Sequence, residues 1–324
     1  MRRSSLTLTL ALALALALAP APAPALHAQN PECAPYAALT QASRVCNAAV
    51  DGARVFHPIV GLLTSGGNPV LGRAGSLGGP ARFAITARVN GTKVVLPDLD
   101  YDGSAGVVAK DDEIFFPSPL VEAAAGLVGG RGLVGLDLLG SAQLLPTGVV
   151  DGLEVDQDAT NIGSVALGFG FGARLSLFEN AGPLPAVSVS VMRRSVPRVQ
   201  YGDLGVGDDY SFAADVQAWN LRAVAGKRFS VLALAVGVGH DWYDGEASVR
   251  FSEPLTGAIG ALDLDLSTSR TMGFVNLGLA FRYIRLVGEA GYQFGKDQQI
   301  GTVFQDFDPA SGRFFAAAGL QFGL

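Results

Sequence analysis

Nine ionisable side chains recur on the small-residue side of alternating segments: Arg82, Arg88, Glu122, Asp137, Arg174, Arg222, Asp241, Arg282 and Glu289. Each lies opposite large apolar neighbours in a stretch of period 2, so each is expected to point away from the apolar face. Charges turned inward need partners. Two kinds of chemistry follow. Such a set can form an ion-pair network that fills a narrow interior, or a charged constriction that selects solutes. Both signs are present, so no preference for anions or cations follows. A second candidate is Asp98-Leu99-Asp100-Tyr101-Asp102-Gly103, which matches the start of a calcium loop. Its twelfth position is Ala109 rather than Glu and no flanking helices are apparent, so it is not an EF-hand. A weak loop site through Asp98, Asp100 and Asp102 makes calcium the one cofactor the sequence suggests.

Other chemistry is less supported. His240-Asp241 invites a hydrolase reading, but neighbours on a strand point to opposite faces. No convergent Ser/His/Asp set appears, so the chain is expected not to be an enzyme. Gly168-x-Gly170-x-Gly172 lies inside a strand and lacks the strand–turn–helix context of a nucleotide loop. Cys33 and Cys46 are the two cysteines, and in an oxidising compartment they read as one disulfide. The three histidines, at 27, 57 and 240, leave a two-cysteine metal site without ligands.

The elements that must place these residues are strands. In Ser164–Leu177 the odd positions are apolar (Val165, Leu167, Phe169, Phe171, Ala173, Leu175, Leu177). The even positions are small or polar, with Ser164, Ala166, Gly168, Gly170 and Gly172 forming a small-residue patch. Glycines on one face weaken a soluble strand. They make sense if the odd face meets lipid and the even face lines a closed barrel. The same alternation recurs near 83–90, 121–127, 134–139, 186–195, 210–225, 232–241, 275–282, 286–294 and 314–324, which makes ten strands. In the 210–225 strand, Ala214 and Val216 fall on the parity opposite to Trp219 and Leu221, which predicts a bulge. Connections alternate long and short, as in transmembrane barrels, with long ones such as 91–118 and 243–269 outside. Leu262, Leu264 and Leu266 alternating with Asp263 and Asp265 suggest a hairpin beyond the membrane, and the 147–157 and 246–268 stretches could add strands. The fold class is therefore all-β, a transmembrane antiparallel barrel of about 10–14 strands behind a short helical or coil segment.

Composition points the same way. Arg2 and Arg3, the apolar run Leu6–Ala19 and Leu26-His27-Ala28 read as a cleaved signal peptide over residues 1–28. Without its two arginines the chain holds 21 basic and 29 acidic residues, a poor match for nucleic acid. No later apolar run is long enough for a spanning helix. Yet 49% of residues are hydrophobic, only 16% are charged and 42 are glycine. Exported, apolar and Gly-rich without membrane helices is the composition of an outer-membrane barrel. Residues 29–79 differ: an Ala-rich amphipathic stretch precedes the Gly/Pro/Ser-rich run GLLTSGGNPVLGRAGSLGG. This segment is either a periplasmic tail or a plug within the lumen, and the barrel proper is assigned to 80–324.

The C-terminal strand FFAAAGLQFGL resembles the terminal signal strand of outer-membrane barrels, but it ends on Leu324 where an aromatic is usual. The run Leu77–Asp98 (LGGPARFAITARVNGTKVVLPD) and the hairpins Pro119–Leu139 and Trp219–Trp242 resemble a family of uncharacterised bacterial outer-membrane proteins. They are loosely similar to the long-chain fatty-acid (hydrophobic compound) transporters, which carry an N-terminal lumen plug. The resemblance covers most of residues 60–324. It implies outer-membrane lipid and the barrel assembly machinery as partners, and a small or hydrophobic solute as cargo. No substrate-binding residue carries over. Passive transport is the expected function, and a closed structural or surface-interaction barrel is the alternative.

Overall fold

Ten long antiparallel strands close on themselves, and residues 30–79 run down the inside. The computed structural model describes residues 30–129, 134–156, 159–177 and 184–323, the Asp112 side chain aside. The expected signal peptide, the Gly-rich turn at 130–132 and Leu324 lie outside the described residues. The strands are β1 (Phe83–Pro97), β2 (Lys110–Val128), β3 (Val134–Pro146), β6 (Val165–Leu177), β7 (Ala186–Tyr201), β8 (Tyr210–Phe229), β9 (Leu232–Ser252), β10 (Ile259–Ala280), β11 (Ile284–Gln293) and β12 (Arg313–Gly323). Two short strands, β4 (Leu153–Val155) and β5 (Asn161–Ile162), add to β7 and β6 in the long connection between β3 and β6. Each barrel strand pairs with the next in that order, and β1 pairs with β12 from Ala84 opposite Gly323 to Thr92 opposite Phe315. Closure gives each of the ten barrel strands a partner on both sides, which a membrane requires of a sheet that crosses it.

The outer face is apolar. Phe169 and Phe171 are 60% and 68% exposed, as lipid-facing residues of a barrel must be. Arg193, Trp219, Trp242 and Ser269 stand side by side on successive strands. The next outward row above them is polar (Ser195, Gln217, Asp244, Ser267); the row below pairs Val191 and Leu221 with His240 and Thr271, and the one after it is apolar (Val189, Ala223, Val238, Gly273). This aromatic row therefore marks the upper border of the lipid band. The Arg193 guanidinium lies over the Trp219 ring at 5.6 Å and donates to Gln217 Oε1 at 2.7 Å. His240 sits on the same outer face, 4.5 Å from the Trp242 ring and 2.8 Å from Thr271 Oγ1. The upper end carries the long connections, so it is extracellular. The start of β1, the end of β12 and the tight Ser230–Val231 turn share the periplasmic end.

Three details differ from the sequence reading. The 91–118 loop is shorter, because β1 runs on to Pro97 and β2 begins at Lys110. The 246–268 stretch adds no separate strand: it belongs to β9 and β10, and forms above the lipid band the hairpin that its alternation suggests. The bulge is also misplaced. β8 keeps one parity throughout, and Ala214, Val216 and Ala218 all point inward with Asn220 and Arg222. The register shift lies on β7, between Val196 and Val199. The inward residues near 214 are apolar because of what fills the barrel at that height.

That filling is α1 (Thr40–Ser65), preceded by a 3-10 turn, Pro31–Tyr36, that the Cys33–Cys46 disulfide ties to it. Among the described residues no helix is long and apolar enough to cross a membrane; the strands do the crossing. Val45, Ala49, Phe56, Ile59, Val60 and Leu63 are buried on different sides of α1. A helix apolar all round belongs in a core. Tyr201, Tyr210, Phe212, Val249, Phe251 and Leu264 meet it from the wall in one continuous cluster.

Candidate functional site

The site is the filled lumen, and its geometry changes with height. At the extracellular end α1 is wired to the loops. Arg44 donates to the carbonyls of Gly103 and Ser104 at 3.1 and 3.2 Å. Asp51, fully buried, accepts from Asn30 Nδ2 and from the N–H groups of Gly301 and Thr302 at 3.0, 3.0 and 2.8 Å. Pro58, inside α1, has no N–H to give to the Arg54 carbonyl. The Gln298 amide, oriented to suit both neighbours, takes that carbonyl at 2.7 Å and accepts from Arg270. Beside α1 a polar cavity of about 640 Å³ is lined by Asn30, Arg54, His57, Thr268 and Lys296 among others. His57 Nε2 is buried there without a hydrogen-bond partner.

Below α1, side chains from around the wall converge on its last carbonyls and on the turn after it. Gln143 and Asn90 both donate to the Leu63 carbonyl, at 2.9 and 3.0 Å. Arg194 donates to the Thr64 carbonyl at 3.2 Å, and Arg88 to that of Asn68 at 3.0 Å. Arg222 donates through Nε to the Gly67 carbonyl at 2.8 Å and through Nη2 to that of Gly66 at 2.7 Å. Cations gathered at a helix C-terminus meet the negative end of its dipole. Glu289 takes the opposite role, accepting from the Gly67 and Asn68 N–H groups at 2.8 and 2.7 Å. Gly66 has φ of +55°, which glycine adopts freely, and a Cβ there would stand 2.8 Å from Arg88 Nη2.

Six of the nominated charges, together with Arg194, are paired among themselves. Arg174 donates twice to Asp137 Oδ2, at 2.9 and 2.7 Å. Arg222 reaches Asp241 Oδ1 at 2.6 Å, and Asn220 and Tyr243 also donate to Asp241. Glu122 Oε1 receives both Arg88 at 3.2 Å and Arg194 at 2.7 Å. Seven of the nine nominated residues are thus brought inside: Arg88, Glu122, Asp137, Arg174, Arg222, Asp241 and Glu289. Arg82 and Arg282 are not. Arg82 precedes β1 and Arg282 stands in the β10–β11 turn, and both are exposed at the periplasmic rim. Parity cannot tell a strand's last inward position from the turn beyond it. Arg282 instead lies over the Tyr283 ring at 5.1 Å.

The small-residue patch is also different from expectation. Ser164 is exposed, outside β6, and its carbonyl accepts from Thr147. Ala166 is fully buried. The glycines leave no vacancy, because side chains of β3 and β7 lie across them. A Cβ on Gly170 would stand 2.5 Å from Ser141 Oγ and 2.8 Å from Arg194 Cγ. One on Gly172 would stand 2.6 Å from Met192 Cγ. Arg194 escaped the sequence reading, although it shares parity with Ser190 and Met192. Asn68, Gln143 and Gln321 escaped it because uncharged polar residues give no distinct signal.

In the extracellular loops Asp98 and Asp102 each spend a carboxylate oxygen on a nearby N–H, of Asp100 at 3.0 Å and of Ser104 at 2.7 Å. Among the described residues no group of three or more His, Cys, Asp or Glu is arranged to hold a metal ion. The acidic crowding has another consequence. Burial raises the pKa of Asp209 above the ordinary 3.8, and Asp102, Asp100, Asp208 and Asp98 add to the rise. Folding therefore disfavours its ionised form. That cost is absent below the ordinary carboxylate value, grows as pH rises through it, and is complete above the raised value. Asp209→Asn should raise the thermal midpoint at pH 7 and have no effect near pH 3. Solvent screening keeps the gain below about 1 kcal/mol. A gain that persists unchanged at pH 3 would refute the electrostatic origin.

No family model matches the chain, and no curated protein matches it. Among solved structures it is similar to the outer membrane protease OmpT of Escherichia coli, at 10% identity, 76% of this chain, 97% of that one and a TM-score of 0.39. It is similar to the translocator domain of the autotransporter NalP of Neisseria meningitidis, at 13% identity, 88% and 99% coverage and a TM-score of 0.38. The toluene transporter TbuX of Ralstonia pickettii gives 11% identity, 79% and 91% coverage and a TM-score of 0.29. The chain is an outer-membrane β-barrel protein. The neighbours carry no activity over to it at such distance. They do correct one expectation. A protease among them removes the ground for excluding catalysis, so the non-enzyme reading does not stand.

Proposed function

We propose that this protein is a closed barrel that carries its own lumen filling and works through its extracellular end. The observation that supports this is the double seal. Apolar packing locks α1 in the upper lumen, and below it the charged side chains grip the Gly66–Asn68 backbone from several strands. A barrel of this width needs a filling that side chains alone do not supply. The loops tied to α1 through Arg44 and Asp51 then form a rigid surface for partners.

Passive passage of a small solute is the second reading. It rests on residues 66–79, which are Gly-rich and held largely by hydrogen bonds, and on the cavity above them. Planar-bilayer recording separates the two. The full chain should be electrically silent, and removal of residues 30–79 should produce steady conductance. Stable open channels from the full chain would sink the closed reading in favour of transport.

A further inference from the structure

We propose that the periplasmic mouth binds a phosphate-type anion through Arg73, Arg285 and Arg228. Arg73 lies on the lumen segment, Arg285 near the start of β11 and Arg228 near the end of β8. Arg73 Nε donates to Gln321 Oε1 at 3.1 Å, and Arg285 Nη1 donates to the same oxygen at 2.7 Å. Two cationic guanidinium groups thus share one uncharged acceptor. Gln321 is fixed in that role, because its Nε2 donates to the Leu71 carbonyl at 3.0 Å and to Thr86 Oγ1 at 3.1 Å.

Like charges held this close repel in a partly dry site. Arg228 adds a third positive charge that acts on both. The carboxylate beside Arg73 is Asp137, and its oxygens are already taken by Arg174 and by the Leu77 N–H. Arg285 is 9% exposed and its Nε is buried without a partner. Arg73, Arg228 and Arg285 line one cleft of about 60 Å³ with the backbone of Gly72–Ser76. The cleft is large enough for one small ion. Guanidinium groups present paired N–H donors that match the oxygens of a phosphate. The same chemistry has two sources at this end of the barrel: free phosphate in the periplasm, or the headgroup of a lipid in the inner leaflet.

The test uses the full chain folded in a neutral maltoside detergent and freed of phosphate. Inorganic phosphate should raise the unfolding temperature saturably, while chloride at equal ionic strength should not. The variant Arg73→Gln/Arg285→Gln should lose that response and be at least as stable as the parent without phosphate. Should it fail to fold, Arg228→Gln at the exposed rim should weaken the apparent phosphate affinity severalfold. Equal effects of phosphate and chloride, or an undiminished response in the folded variants, would overturn the proposal. The same titration in phosphatidylglycerol nanodiscs assigns the source. A response lost there means the lipid headgroup fills the cleft; a response retained means the soluble anion does.

Discussion

Glu122→Ala should destabilise the barrel by about 3–5 kcal/mol, the range for removing one partner of a buried ion pair. Glu122 Oε1 stands between Arg88 and Arg194, and all three side chains are buried. Its removal leaves two guanidinium groups facing each other without an anion. Both also hold the lumen segment, Arg88 at the Asn68 carbonyl and Arg194 at that of Thr64. The variant should therefore expose residues 66–79 to protease before the barrel itself unfolds. The proper control is Glu113→Ala. Glu113 pairs with Lys93 at 2.7 Å, but the two side chains are 39% and 58% exposed. Pairs of that kind contribute about 0–1 kcal/mol. Urea midpoints in micelles, followed by Trp219 and Trp242 fluorescence, compare the two. Equal losses would show that the lumen pairs are as solvated as the surface one.

The wall of the barrel was legible in the sequence, and its contents were not. Period 2 in Val165–Leu177 set outward and inward faces without any knowledge of partners, because a strand's alternation is local. The terminal strand and the alternation of long and short connections gave closure and polarity. The apolar inward run of Ala214, Val216 and Ala218 misled for a physical reason. Parity analysis treats polar as inside, and that holds only where the lumen is wet or charged. Where α1 fills it, inside is apolar too, so both faces of β8 look alike. The glycines of β6 misled in the same way. A missing side chain reads as empty space, yet Arg194 and Met192 come from the next strand to occupy it. Which long side chain crosses which glycine depends on register, and register between strands is not written in either strand alone.

Gly61→Ala should cost about 1–3 kcal/mol, the usual penalty for forcing a methyl group into a packed core. Elsewhere in a helix the same change helps by roughly 1 kcal/mol, since alanine is the better helix former. The sign reverses here because a Cβ on Gly61 would stand 2.5 Å from Tyr243 Cε1 and 2.6 Å from Cδ1. Tyr243 has little freedom to move aside. It is fully buried, donates to Asp241 Oδ2 at 2.9 Å and accepts from Gln293 Nε2 at 3.1 Å. The contact joins the filling to the wall where the apolar zone meets the charged one. A double-mutant cycle isolates it. In a Tyr243→Leu background the ring is gone, and Gly61→Ala should become neutral or stabilising. Gly106→Ala, where a Cβ meets nothing within 4 Å, should be nearly silent. If Gly61→Ala costs the same with and without the ring, α1 does not sit against β9 as closely as this, and the seal in the upper lumen is looser than the closed reading requires.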